Sequence, residues 1–302
     1  MNETPKNPES APLLRFSDAL GELLADARDA NEARTSGTPR GPVTGLPSLD
    51  REIGHALAPG LHGIHGAPGT GKTAFTLQLA ASCRFPALYV TCEMSPAELL
   101  RRHTARATET FLGRLKNGEM PVSEVEKLTR RALADAPDLA LLDATRAPAL
   151  PQRIHEAALV AKGESSNLLI VIDSLQSWAE GLGDATGAGE YEILNAGLKA
   201  LRELAHSLKC PVLFVSERNR DSMKSGGQSA GAGTRKIEYG TETVFDLDRD
   251  MSDKEDGAGE FSIALKLVKN RHGSVGKSIP LQFNGALQRF REVPSAAKGG
   301  RR

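Results

Sequence analysis

Cysteine is scarce in this 302-residue chain, and the three present (Cys83, Cys92 and Cys210) share no ligand spacing. That excludes a disulfide scaffold and a structural zinc, and reads as small buried hydrophobes in a reducing cytoplasm. Long hydrophobic runs are missing as well. The longest aliphatic one, Leu168 to Ile172, falls far short of the roughly 20 residues that a membrane-spanning helix needs. Met1 to Ser10 are polar, carry two prolines and hold no secretory core. Neither sign of charge is in excess: Lys plus Arg number 38 and Asp plus Glu number 38. The balance excludes a uniformly basic coat for nucleic acid and an acidic solvating tail, so nucleic-acid contact has to come from local charge. What is there, 39% hydrophobic and 25% charged residues, is ordinary globular usage that can bury a sizeable core. The length fits two domains or one large α/β domain.

Residues 1–42 read as a polar, disordered start followed by one helix and a linker. Phe16, Leu20, Leu23, Leu24 and Ala27 recur at helical spacing with Ser17 as N-cap, which predicts an amphipathic helix over about 16–31. After Gly45, short apolar runs alternate with longer helical patterns. Strands are expected at Leu61–His65, Ala87–Thr91, Leu139–Asp143, Leu168–Asp173 and Val212–Ser216. Helices are expected at Lys72–Ser82, Pro96–Thr108, Val122–Asp135, Leu150–Lys162 and Glu190–Lys209. That alternation predicts an α/β fold with a mostly parallel central sheet and helices on both faces. Phe261–Lys269 and Ile279–Arg291 read as a C-terminal antiparallel strand pair. Ser222–Thr234, with four glycines and three serines, reads as a flexible loop; Asp246–Gly259, strongly acidic over its first eleven residues, reads as a second. Residues 294–302 read as a disordered basic tail, leaving 43–293 as the main domain.

Gly66-Ala67-Pro68-Gly69-Thr70-Gly71-Lys72-Thr73 fits G-x-x-x-x-G-K-[ST] without exception, after an apolar run and before a helical pattern. That is the context in which backbone N–H groups of a glycine-rich loop cradle phosphates at a helix N-terminus. Lys72 is then expected on the β- and γ-phosphates of ATP, and the Thr73 hydroxyl on Mg²⁺. Asp173 ends the most apolar run and is the candidate carboxylate that holds the metal through water. Glu93, ending the strand after the P-loop helix, is a candidate for the group that orients or deprotonates the attacking water.

Taken together, these residues resemble the C-terminal motor domain of the DnaB-type replicative hexameric helicases, within the RecA-like ATPases. Thr44-Gly45-Leu46-Pro47-Ser48-Leu49-Asp50 looks like that family's first strand, and Thr91-Cys92-Glu93-Met94-Ser95 is similar to its S-L-E-M-S segment. Asp173-Ser174-Leu175-Gln176 is similar to D-Y-L-Q, and Ser216-Glu217-Arg218-Asn219-Arg220 to S-Q-L-N-R. Lys269-Asn270-Arg271-His272-Gly273 looks like K-N-R-N-G, and Leu281-Gln282-Phe283-Asn284-Gly285 like L-R-F-D-G. The resemblance covers about Val43 to Glu292. It implies a RecA-like P-loop NTPase with Glu93 as general base and Gln176 in the site. It further implies that Lys269 and Arg271 reach the nucleotide of an adjacent subunit, and that the helix near 16–31 packs on a neighbour in a ring of about six.

Three departures accompany it. Only about forty residues precede the motor, so a stand-alone motor without the family's N-terminal collar, its primase-recruiting domain, is expected. Glu217 stands where the family has a γ-phosphate-sensing glutamine, and a second carboxylate there repels phosphate unless paired. The DNA-binding loop keeps only Ile237-Glu238 cleanly, with Lys224, Arg235 and Lys236 as its positive charges and Tyr239 as its one aromatic. Lys224, Arg235, Lys236 and Glu238 are therefore the candidate nucleic-acid contacts, since a few charges repeated round a ring can track a strand. The expected function is an ATP-hydrolysing, ring-forming motor that translocates on single-stranded DNA. A loader or another replication or recombination protein is an expected partner. The alternative is an ATP-gated assembly or regulatory ATPase that acts on proteins. No lid or substrate pocket points to a small-molecule kinase.

Overall fold

The computed structural model describes residues 13–182, 189–217, 240–249 and 259–293. They fall into two units, one up to Arg40 and one from Gly41 onward.

In the first unit a 3₁₀ turn, Phe16–Ala19, leads into α1 (Leu20–Ser36). Ser17 caps nothing. It lies inside the turn, where the Arg15 N–H donates to Asp18 Oδ2 at 2.8 Å. α1 runs five residues beyond Asn31 because Glu32, Ala33 and Arg34 are good helix formers that carry the helix on until Gly37, whose φ of 71° terminates it. Leu20, Leu23 and Leu24 all face solvent, and no residue of α1 is buried.

The second unit is built on one sheet. Its strands are β1 (Gly60–Gly66), β2 (Ala87–Thr91), β3 (Leu139–Asp143), β4 (Leu169–Asp173), β5 (Pro211–Glu217), β6 (Thr243–Arg249), β7 (Glu260–Asn270), β8 (Ser278–Asn284) and β9 (Arg289–Glu292). Spatial order is β3-β2-β4-β5-β1-β6-β7-β8-β9. The first six in that order are parallel, and β7, β8 and β9 continue antiparallel. The helices are α2 (Pro47–Glu52), α3 (Lys72–Ser82), α4 (Pro96–Thr108), α5 (Leu112–Lys116), α6 (Val122–Asp135), α7 (Pro151–Lys162), α8 (Leu175–Leu182) and α9 (Glu190–Leu208). Two apolar layers flank the sheet. One gathers Phe75 and Leu79 of α3 with Phe245, Leu265, Phe283 and Phe290; the other gathers Ile170, Ile172, Trp178, Leu201 and Phe214. No described helix is long and apolar enough to cross a membrane.

Three expected segments of this unit fold differently from the sequence reading. Thr44–Asp50 is no strand: Pro47, whose fixed φ and missing N–H suit a helix start, opens α2. Asp50 then turns back to accept from the Thr44 N–H and hydroxyl at 2.7 and 2.8 Å. Ile279–Arg291 is two strands, because the chain turns at Gly285–Gln288, where Gln288 has φ 53° and the Leu287 N–H caps onto Asn284 Oδ1. Residues 246–249 of the expected acidic loop belong to β6, whose Phe245 and Leu247 point into the core, while Asp248 pairs with Lys266 on β7 at 2.6 Å. The rest of that loop, the Gly/Ser loop and the basic tail lie outside the described residues.

Candidate functional site

β1 ends at Gly66, and the chain then bends through Ala67–Thr70 into α3. Gly71 is the N-cap at φ 88°, a left-handed conformation that favours glycine. A Cβ there would also meet the Phe290 ring at 2.9 Å and the Phe283 ring at 3.0 Å. Those rings stack at 4.3 Å between centroids, so the terminal strands form the wall behind the loop. Thr70 Oγ1 donates to the Ala67 carbonyl at 2.9 Å, holding the loop closed on itself. Lys72 Nζ donates to the carbonyls of Gly66 at 2.9 Å and Ala67 at 3.2 Å, with Glu217 Oε1 at 4.0 Å. Burial pulls the Lys72 pKa below its usual range, and Glu217, Asp173 and Glu93 oppose that pull.

Two carboxylates face this lysine from the ends of neighbouring strands. Asp173 at the end of β4 is almost fully buried, and its Oδ2 accepts from the Tyr89 hydroxyl at 2.7 Å. Burial raises its pKa, while hydrogen bonds from Tyr89 and Thr73 work the other way. Glu93, two residues past β2, accepts from Ser174 Oγ at 2.5 Å and Ser177 Oγ at 2.8 Å. Both donors come from the start of α8 and fix the direction of the carboxylate. Gln176 donates through Nε2 to Ser216 Oγ at 2.9 Å, while its buried Oε1 has no partner among the described residues.

Lys72, Thr73, Glu93, Asp173 and Glu217 thus line one cavity of about 310 Å³. A larger cavity of about 710 Å³ lies over β6, β7 and β8, with none of these residues in its wall. The smaller one carries the chemistry, because it alone of the two has the loop, the lysine and the carboxylates together. Arg102 of α4 also lines it, held by Gln288 Oε1 at 2.8 Å and Glu98 Oε1 at 3.3 Å. Nothing local in the sequence marks Arg102, since its orienting partner Gln288 is 186 residues away. Tyr89, Ser174 and Ser177 escaped the sequence reading for the same reason. Cys92 sits beside Glu93, yet burial first, and Asp173 and Glu93 next, push its thiol up to about 12, so it stays protonated.

The residues present fit a nucleotide with Mg²⁺. A cradle of glycines accepts phosphate oxygens where side chains would not fit, and Lys72 is already inside it. Thr73 and Asp173 offer only oxygen, the donor Mg²⁺ prefers, and two protein ligands leave the remaining positions to water and phosphate.

Lys269 and Arg271 are not brought into this cavity. Asn270 pairs with Thr243 on β6, whereas Gly66 pairs with Leu247. Four residues of β6 separate the two levels, about 13 Å at about 3.3 Å per residue. The two cations therefore sit towards the opposite end of the strands from the loop. Lys269 Nζ donates to the Thr241 carbonyl at 2.6 Å, and Arg271 Nη1 to Glu242 Oε1 at 3.3 Å. Lys224, Arg235, Lys236 and Glu238 lie outside the described residues.

The model of the DnaB-like helicase C-terminal domain matches residues 41–292. The chain belongs to this family. The replicative DNA helicase DnaB of Geobacillus stearothermophilus is 25% identical over 275 residues, covering 83% of this chain and 57% of that protein. The DnaB of a Nostoc strain is 30% identical over 164 residues, covering 52% and 18%. A probable plasmid replicative DNA helicase of Chlamydia psittaci is 26% identical over 253 residues, covering 75% and 50%. The chain thus spans between about a fifth and three fifths of these relatives' own lengths. Among solved structures, an ATPase domain superposes with a TM-score of 0.76 at 18% identity, covering 93% of this chain and all of that one. A DnaB-like replicative helicase solved to show its interactions with primase gives 0.73 at 18%, covering 92% and 67%. The fold is that of the RecA-like motor domains.

Glu217 stands beside the loop lysine. Its carboxylate is largely exposed yet stands 4.0 Å from Lys72 Nζ, where a terminal phosphate would compete for the same ammonium. Glu217→Gln is expected to tighten ATP binding by about fivefold, the range of one exposed charge pair, with a smaller gain for ADP. Titration calorimetry with both nucleotides checks it. Equal affinities in the variant and the parent would remove Glu217 from the phosphate site.

Proposed function

We propose that this chain is an ATP-hydrolysing motor that assembles into a ring of about six copies and moves along single-stranded DNA. Residues 43–293 would be the motor, the helix within 1–42 would bridge to a neighbouring copy, and 294–302 would be a tail. The observation that carries the ring is the separation of Lys269 and Arg271 from their own P-loop by about 13 Å along the strands. A copy rotated against its neighbour can present that end of its strands to the next nucleotide, which a single chain cannot do for itself.

In this reading the loop 66–71 binds the phosphates through backbone N–H groups, and Lys72 leaves the Gly66 and Ala67 carbonyls for the β- and γ-phosphate oxygens. Thr73 and Asp173 would hold Mg²⁺, which when bound neutralises charge between the phosphates. Glu93, aimed by the Ser174 and Ser177 hydroxyls, takes the proton of the attacking water. Gln176, whose Oε1 is open to a new partner, relays the state of the site through Ser216 to β5 and so towards the Gly/Ser loop that follows it. Arg271 of a neighbouring copy steadies the developing charge.

The second reading, an ATP-gated assembly ATPase that acts on proteins, is favoured by Glu217 alone. Steady-state hydrolysis with and without single-stranded DNA, at two salt concentrations, separates the two. Several-fold stimulation that fades with rising salt is expected, because phosphate contacts release counterions. Flat hydrolysis without DNA binding at low salt would sink the motor reading and turn the search to a protein partner.

A further inference from the structure

The strand end that carries Lys269 and Arg271 is fastened to the fold at several points, and most of them converge on Glu242. The Arg271 N–H donates to the Glu242 carbonyl at 3.0 Å. The Glu242 side chain takes Arg271 Nη1 on Oε1 at 3.3 Å and His272 Nε2 on Oε2 at 3.2 Å. On the far side Asn270 Nδ2 donates to the Glu52 carbonyl at 2.7 Å, tying the same turn to the end of α2. Gly60 opens the space beside it: a Cβ there would come within 2.6 Å of Glu242 Cγ. The Glu242 N–H is already used by the Leu61 carbonyl at 2.7 Å, so sheet pairing does not depend on what its side chain is.

A carboxylate in this position has a specific effect on an arginine. Glu242 is largely covered at 21% exposure, while the Arg271 side chain it holds remains 53% exposed. A charge-assisted bond to a half-covered carboxylate is stronger than one at an open surface. A long side chain on a surface otherwise loses its rotamer freedom at the moment it engages a ligand. Fixing one edge of the guanidinium beforehand removes most of that loss.

We propose that Glu242 is the positioning residue for the arginine that acts across the subunit interface. Its carboxylate, shared between Arg271 and His272, sets the direction of the guanidinium before the neighbouring nucleotide arrives. The inference rests on the reading that Arg271 serves a neighbouring copy.

The test is steady-state ATP hydrolysis by the full chain in four variants: Arg271→Ala, Glu242→Ala, Glu242→Gln and the double Glu242→Ala/Arg271→Ala. Light scattering on each gives the mass of the assembly. Glu242→Ala is expected to lower kcat by about tenfold with KM for ATP within about twofold, because the P-loop lies at the other end of the strands. Glu242→Gln, which keeps the shape and one acceptor, should fall between that value and the parent. The double variant should be no slower than Arg271→Ala, since a residue that acts only through Arg271 has nothing to lose once the arginine is gone. An unchanged or raised kcat in Glu242→Ala, losses that multiply in the double variant, or a fall in mass for Glu242→Gln would each overturn the proposal. If Arg271→Ala itself leaves kcat unchanged, the reading of a trans-acting arginine fails first and this inference goes with it.

Discussion

Lys72→Ala should lose about a thousandfold in turnover at saturating ATP, the scale of removing a charged donor aimed at phosphate oxygens in a preorganised site. The reason lies in how the lysine is stored. Its ammonium is mostly buried, held by two loop carbonyls and balanced by Glu217, Asp173 and Glu93. Alanine leaves three carboxylates around the phosphate position, with Arg102 as the cation of the same cavity that still faces them among the described residues. Nucleotide binding should therefore weaken along with turnover. Removing the side chain costs the fold little, because the helix start is set by Gly71 and the two phenylalanine rings behind it. Hydrolysis measured alongside a thermal melt checks both halves. Parental turnover in a folded Lys72→Ala protein would remove the nucleotide site from this loop.

The loop and its helix were legible because their signals are local. The octet 66–73 needs only glycine spacing and one lysine, and α3 and β2 fall on the expected residues because their apolar periods are undisturbed. β6 was hidden. The acidic residues Asp246 and Asp248 mask the alternation of Phe245 with Leu247, and charge density of that kind reads as a solvated loop. α8 was missed because it starts directly after Asp173, where a strand signal is still dominant, yet Trp178 anchors it by donating to the Ala149 carbonyl at 2.7 Å. The site divides along the same line. Lys72, Thr73, Asp173 and Glu93 carry motif signals, but what aims Glu93 is a pair of serines 81 and 84 residues away. No local pattern encodes a contact over that distance. It exists only because β2 and β4 are neighbours in the sheet, with Thr91 level with Asp173.

The same sheet geometry makes the interface testable without a structure of the ring. Arg271→Ala alone is expected to leave ATP binding near parental while turnover falls by about 10³-fold, the lower end of what an arginine supplied in trans contributes. Glu93→Ala should likewise bind ATP and fail to hydrolyse it, since the group that takes the proton is gone. Each variant spoils a different end of the strands. In a mixed ring, a Glu93→Ala copy presents an intact Arg271 to an Arg271→Ala neighbour, whose own P-loop and Glu93 are intact. That interface has every part. Mixing two nearly inactive proteins should thus restore hydrolysis, greatest near equal proportions. Two sites that each need only their own chain would give no gain at any ratio, because every copy would still lack one group. A mixture that stays inactive after exchange of subunits has been verified by mass would overturn the assignment of Arg271 to the neighbouring copy's site.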